Sequence, residues 1–186
     1  MSHPGGPSRP RLSEKEVVRA AAEYLAGLGY RVYPNLDSTD YFDLVARRGE
    51  EVGLVEAKVA GSRAVLVQAL KRRAWGDWVA VVVPSDRSAE RLAARTDGTR
   101  ASRVGVWVAR SGNIRVVRPA RPWVPPGEVD PFSDLRERFR SLLDRIDAGE
   151  IPADVPWAGV VGAVRRASGG RGFSEWRLDE PVEPGP

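Results

Sequence analysis

The chain contains no cysteine and a single histidine, His3, set in the Gly/Pro-rich opening MSHPGGPSRPRL. Without cysteine there is no disulfide, no thiolate zinc cluster and no thiol nucleophile. One histidine in so irregular a segment removes the histidine triad, the histidine metal site and the histidine general base. Long apolar runs are missing as well, since none approaches the roughly 18 residues that a membrane-spanning helix needs. The N-terminus lacks the apolar stretch that directs secretion. These absences point to a cytoplasmic protein that does not engage a membrane. They leave carboxylates, lysine and arginine as the side chains able to carry chemistry.

What is present suffices for one domain of ordinary size plus an appendage: 186 residues, of which 42% are hydrophobic. That apolar content is incompatible with wholesale disorder. Lysine and arginine number 29 against 25 aspartate and glutamate, a formal net charge of +4. So mild a basic balance suits a polyanionic partner without requiring one.

The periodicity predicts an order of elements. Residues 1–12 read as a flexible lead. SEKEVVRAAAEYLAGLGY predicts a helix, with Ser13 as N-cap and Glu16 completing a capping box. Val18, Ala21, Leu25 and Leu28 form its apolar stripe, and Gly29 ends it. YRVYPNL predicts a short strand whose Pro34 marks an edge or an end. Two strands follow the polar DSTD loop, then a helix over SRAVLVQALKRRAW and a buried strand over DWVAVVVPS. A polar helix around SAERLAART precedes a hairpin, SRVGVWVARSGNIRVVRP, turning at Ser111-Gly112-Asn113. The order α-β-β-β-α-β-α-β-β predicts an α/β (α+β) fold, a mixed central sheet flanked by helices.

Composition shifts near residue 119, which sets the expected boundaries. Residues 13–118 form the main domain and the proline-rich 119–132 a linker. A small helical C-terminal extension spans 133–167. In it, FSDLRERFRSLLDRIDAGEI carries Leu135, Phe139, Leu142, Leu143 and Ile146 at helical spacing, and WAGVVGAVRRA makes a second, shorter helix. Residues 168–186 read as a disordered tail. The C-terminal helices are expected to serve a homodimer contact, DNA recognition or a partner protein.

The chemistry concentrates in YFDLVARRGEEVGLVEAKV, where Asp43, Glu56 and Lys58 interrupt two strands otherwise built for a core. With Gly49-Glu50 as a two-residue turn, Arg48 pairs with Glu51, and counting back puts Asp43 opposite Glu56. Alternation places Lys58, Val52 and Leu54 on that same face. A solvated ion pair is the ordinary reading of Glu56 with Lys58, but the apolar neighbours argue for burial, where unpaired charge is costly. Two carboxylates so close repel, and a divalent cation between them relieves the repulsion. Mg²⁺ takes one or two carboxylates and leaves its other positions to water and phosphate. On the first helix, Glu14 is in phase with the apolar stripe and is the acid positioned to look into this site.

Asp43, twelve residues, then Glu56-Ala57-Lys58, on a hairpin that follows an acid-bearing helix, resembles the PD-(D/E)XK nuclease superfamily. Holliday-junction resolvases, Mrr-type endonucleases and TnsA-like nucleases belong to that superfamily. The likeness runs from about Ser13 to Pro84; Phe42 stands where the motif's proline would be. The resemblance implies a restriction-endonuclease-like core that cleaves DNA with Mg²⁺ or Mn²⁺. It makes Asp43, Glu56 and the Ala57 backbone carbonyl metal ligands and Lys58 the catalytic lysine. Glu14 becomes a further metal or water ligand and Gln68 the helix glutamine of several branches. Apart from the resemblance, Lys71, Arg72, Arg73 and Arg63 read either as phosphate contacts beside the site or as a solvated basic face. The alternative is a nuclease-like module that binds nucleic acid or protein without cutting.

Overall fold

The computed structural model describes residues 12–34, 42–61, 63–125 and 127–152. The N-terminal lead, the DSTD loop, the helix expected over WAGVVGAVRRA and the tail lie outside the described residues.

Helix α1 (Glu14–Gly27) starts at the expected capping box: the Ser13 N–H donates to Glu16 Oε2 at 2.7 Å and the Glu16 N–H to Ser13 Oγ at 3.4 Å. Its buried stripe is turned by one residue from the expected one. Val17, Ala20, Ala21 and Leu25 pack inward, whereas Leu28, at the C-cap, is 48% exposed.

Six strands form one sheet in sequence order: β1 (Arg31–Pro34), β2 (Leu44–Arg48), β3 (Glu51–Ala57), β4 (Trp78–Val83), β5 (Gly105–Arg110) and β6 (Asn113–Arg118). The β3–β4 and β4–β5 pairs are parallel and the rest antiparallel. Pro34 closes edge strand β1, where no further ladder N–H is needed. Gly49, at φ +60°, turns the β2–β3 hairpin and sets Arg48 against Glu51. In the second hairpin the turn is Ser111-Gly112, one residue tighter than expected, because Asn113 already pairs with Arg110.

Helices α2 (Arg63–Arg72), α3 (Asp86–Thr96) and α4 (Ser133–Asp147) complete the chain. The mixed sheet therefore has α1 on one face and α2, α3 and α4 on the other, each face with its own apolar cluster. Val82, Ala80, Val55 and Ala57 meet α1, while Val81, Val83, Leu54 and Val52 meet α2 and its neighbours. On the α1 face Trp78 lies flat over Gly53, where a Cβ would sit 1.9 Å from its ring.

The segment expected as a linker is tied to the sheet layer. The Arg121 N–H donates to Arg103 O and the Trp123 N–H to Asp77 O, both at 3.0 Å. Helix α4 brings Phe139, Leu143 and Ile146 into the same cluster as Phe42 and Trp75. The Phe139 ring lies 5.6 Å from that of Phe42 and 5.7 Å from that of Trp75.

Candidate active site at the end of strand β3

The hairpin register carries two carboxylates to one place. Pairing runs from Arg48–Glu51 to Leu44–Val55, so Asp43 and Glu56 come next, just beyond the last paired residues. Here the backbone of β2 has bent away, and the Asp43 side chain takes over: its Oδ2 accepts the Ala57 N–H at 2.7 Å. Beyond Ala57, the Lys58 N–H still donates to Val82 O at 3.0 Å. The next step of that parallel ladder would need an N–H from Pro84, which has none. Strand β3 ends there, and the Lys58 side chain reaches out over the end of the sheet.

Lys58 Nζ lies 3.3 Å from Glu14 Oε1, 3.4 Å from Asp43 Oδ2 and 3.6 Å from Glu56 Oε1. One ammonium thus collects carboxylates from the first turn of α1, the start of β2 and the end of β3. Glu14, Asp43, Glu56 and Lys58 come together although 44 residues separate the first from the last.

Burial grades these groups. The Glu56 side chain is only 4% exposed, that of Glu14 39%. Burial, then the neighbouring Asp43 charge, pushes the Glu56 carboxyl above its ordinary value, with Arg72 and Lys58 opposing. Burial acts against the Lys58 ammonium too, but Asp43, Glu56 and Glu14 together outweigh it and raise Lys58. Lys58 therefore stays charged at neutral pH and acts as a hydrogen-bond donor.

Arg72 stands in a place the sequence did not disclose. Its Nε lies 3.4 Å from Glu56 Oε2, so Glu56 is held between two cations, one at each oxygen. The same guanidinium lies 5.6 Å from the centre of the Phe42 ring, next to Asp43. Arg72 therefore braces both carboxylate-bearing segments. The signal was its phase: it follows Val65 and Ala69 on the buried side of α2. Arg73 turns away from the site. It is buried, donates to Leu70 O at 2.8 Å and lies over Phe132. Arg63 and Lys71 are exposed. Gln68 is exposed one turn before Arg72, and among the described residues no hydrogen bond joins it to the four clustered side chains. Trp75 and Trp78 are buried core residues and offer no face to a base.

As donors, the Asp43 and Glu56 carboxylates and the Ala57 carbonyl are hard oxygens of the kind Mg²⁺ and Mn²⁺ prefer. Among the described residues no group of three or more acidic or histidine side chains is already spaced as a metal cage. The carboxylates instead converge on Lys58, and among the described residues three carboxylates face the two positive charges of Lys58 and Arg72. The donor chemistry and the negative excess both suit a further cation. Among the described residues no helix is long and apolar enough to cross a membrane. Set against known proteins, the chain matches no family model, no curated protein and no solved structure.

Proposed function

We propose that the protein is a divalent-metal-dependent nuclease of the PD-(D/E)XK type, with a restriction-endonuclease-like core, that hydrolyses phosphodiester bonds in DNA. The observation that carries this reading is the convergence of Glu14, Asp43 and Glu56 on Lys58 at the end of β3. Four groups from three segments meet there, in the order of elements that the resemblance requires.

In this reading Asp43, Glu56 and the Ala57 carbonyl hold Mg²⁺ or Mn²⁺, and Glu14 offers one more carboxylate. When bound, the metal supplies Lewis-acid polarisation of the scissile phosphate and a more acidic attacking water. Every other role belongs to the chain. Lys58, protonated at Nζ, donates hydrogen bonds to the water or to phosphate oxygens and offsets the charge that builds on them. A lysine whose carboxylate neighbours favour its charged form is suited to this electrostatic role and poorly suited to removing a proton. Arg72 fixes Glu56 through Oε2 and leaves Oε1 turned toward Lys58. Glu14 is the most exposed of the three acids and the one nearest to incoming solvent.

The test is cleavage of supercoiled, linear and branched DNA with Mg²⁺, Mn²⁺ or EDTA. Metal-dependent cutting by the wild type is expected to be lost in Asp43→Ala, Glu56→Ala and Lys58→Ala. Cutting that survives all three would overturn the site. The engagement of Lys58 by all three carboxylates favours a second reading, a nuclease-like module that binds without cleaving. Intact DNA binding with no cutting under any metal would select that module.

A further inference from the structure

The positive charge of the chain is not spread evenly. Between Asp86 and Arg121 there are nine arginines and three carboxylates, whereas the whole chain has a net charge of only +4. The remaining residues are therefore slightly acidic, and the entire excess lies on α3, the turn after it and the β5–β6 hairpin.

Within that segment the acids are already engaged. Asp86 takes both Arg110 and Arg115, Glu90 meets Arg115 at 3.6 Å, and Asp97 meets Arg118 at 3.3 Å. The arginines of β5 and β6 thereby neutralise the acidic side of α3. The adjoining exposed side carries Arg87, Arg91 and Arg95, spaced by four residues. Such positions stack on one helix ridge, about 6 Å apart along the axis. Arg91 Nε donates to the Arg87 carbonyl at 3.3 Å and so keeps its guanidinium on this ridge. Like charges at this spacing disfavour an isolated helix by a few tenths of a kcal/mol each, so folding alone gives no reason for the pattern.

We propose that the Arg87–Arg91–Arg95 ridge of α3 is a docking surface for the phosphate backbone of duplex DNA. The inference goes beyond the cleavage reading, because this binding requires neither metal nor hydrolysis. Three features select the occupant. A straight row of guanidinium groups matches a regular row of phosphates. The sequence of α3, DRSAERLAART, holds no aromatic residue, so nothing on the ridge can stack an unpaired base. The exposed side also has no large apolar anchor of the kind that dominates protein–protein contacts. The loop after the candidate site packs on α3: a Cβ at Gly61, three residues after Lys58, would sit 2.8 Å from Ser88 Cβ in the first turn of that helix.

The experiment measures binding of a labelled, blunt DNA duplex by the full chain in EDTA, across a range of salt concentrations. The triple variant Arg87→Ala/Arg91→Ala/Arg95→Ala is expected to bind about tenfold or more weakly near physiological salt, with a salt slope shallower by up to about 3. The matching Arg→Lys triple is expected to retain most of the affinity. A control triple, Arg19→Ala/Arg138→Ala/Arg145→Ala, removes the same charge from exposed positions elsewhere. An equal loss in that control would overturn the proposal, because net charge alone would then account for binding. Tighter binding of duplex RNA, of single strands or of polyglutamate would also overturn it, as would unchanged binding by the ridge triple. Ridge-dependent binding without cleavage would leave this inference standing while the nuclease reading fell. Metal-dependent cleavage with ridge-independent binding would do the reverse.

Discussion

Strand β3 carries an aspartate device at each end, and the two ends differ in charge balance. At the far end, Asp77 Oδ2 accepts the Val52 N–H at 2.7 Å, as Asp43 accepts the Ala57 N–H at the candidate site. Asp77 Oδ1 is then met by Arg140 at 2.6 Å and, more distantly, by Arg136, which pairs with Asp130 at 3.0 Å. Two carboxylates face two guanidinium groups, and Arg136 also donates to Arg73 O. These contacts bind α4 to the sheet. The Lys58 end uses the same backbone contact but gathers three carboxylates around two cations. Balanced charge is what a fold needs from a half-buried polar cluster; an excess of one sign keeps a place for something further.

The comparison breaks if the two ends respond alike to mutation. The largest difference is expected in activity: Lys58→Ala should lower DNA cleavage by about 100-fold or more, the scale of losing an electrostatic stabiliser. Asp77→Ala should leave cleavage per folded molecule near the wild-type level. On stability the order reverses. Asp77→Ala leaves two arginines without their shared acid and is expected to cost about 2–3 kcal/mol, read as a drop in Tm by calorimetry. Arg72 sharpens the comparison further, because it supports Glu56 without touching Lys58. Arg72→Ala should raise the Mg²⁺ concentration needed for half-maximal cleavage by about tenfold, with part of that loss recovered in Arg72→Lys. A parallel titration of metal-induced thermal stabilisation checks the same shift without relying on turnover.

The smallest effect concerns pH. The Glu56 carboxyl is raised above its ordinary 4.5, chiefly by burial. A raised acid favours the native state while protonated, and that contribution is full below the unfolded value and lost as pH rises through the folded one. In EDTA, Glu56→Gln should therefore raise Tm at neutral pH, and the gain should shrink toward zero as pH falls to about 4. A gain that grew on acidification would mean that Glu56 is held by its cations more than it is penalised by burial.

Local signals in the sequence sufficed to anticipate much of the site geometry. The Gly49-Glu50 turn fixes the β2–β3 register, and from it the adjacency of Asp43 and Glu56 follows by counting. The phase of α1 brought Glu14 to the same place, even with the buried stripe misjudged by one residue. Arg72 escaped because a cation at the end of a helix reads equally well as solvated. Only packing against Phe42, thirty residues earlier, shows where its guanidinium goes. The attachment of α4 escaped for the same reason. The Phe42–Phe139 contact joins segments far apart in the chain, and periodicity says only that α4 has an apolar side. Gln68 was named only through the family resemblance, and the structure leaves it exposed on α2.

The contact of Phe139 with Phe42 and Trp75 has a consequence for modularity. A chain cut after β6 would retain Glu14, Asp43, Glu56, Lys58 and Arg72. It would also lay bare the aromatic wall behind Phe42, the residue next to Asp43 and under Arg72. The smallest transplantable unit therefore runs through α4: a graft ending at 118 would carry the complete set of charged groups on a hairpin no longer clamped from behind.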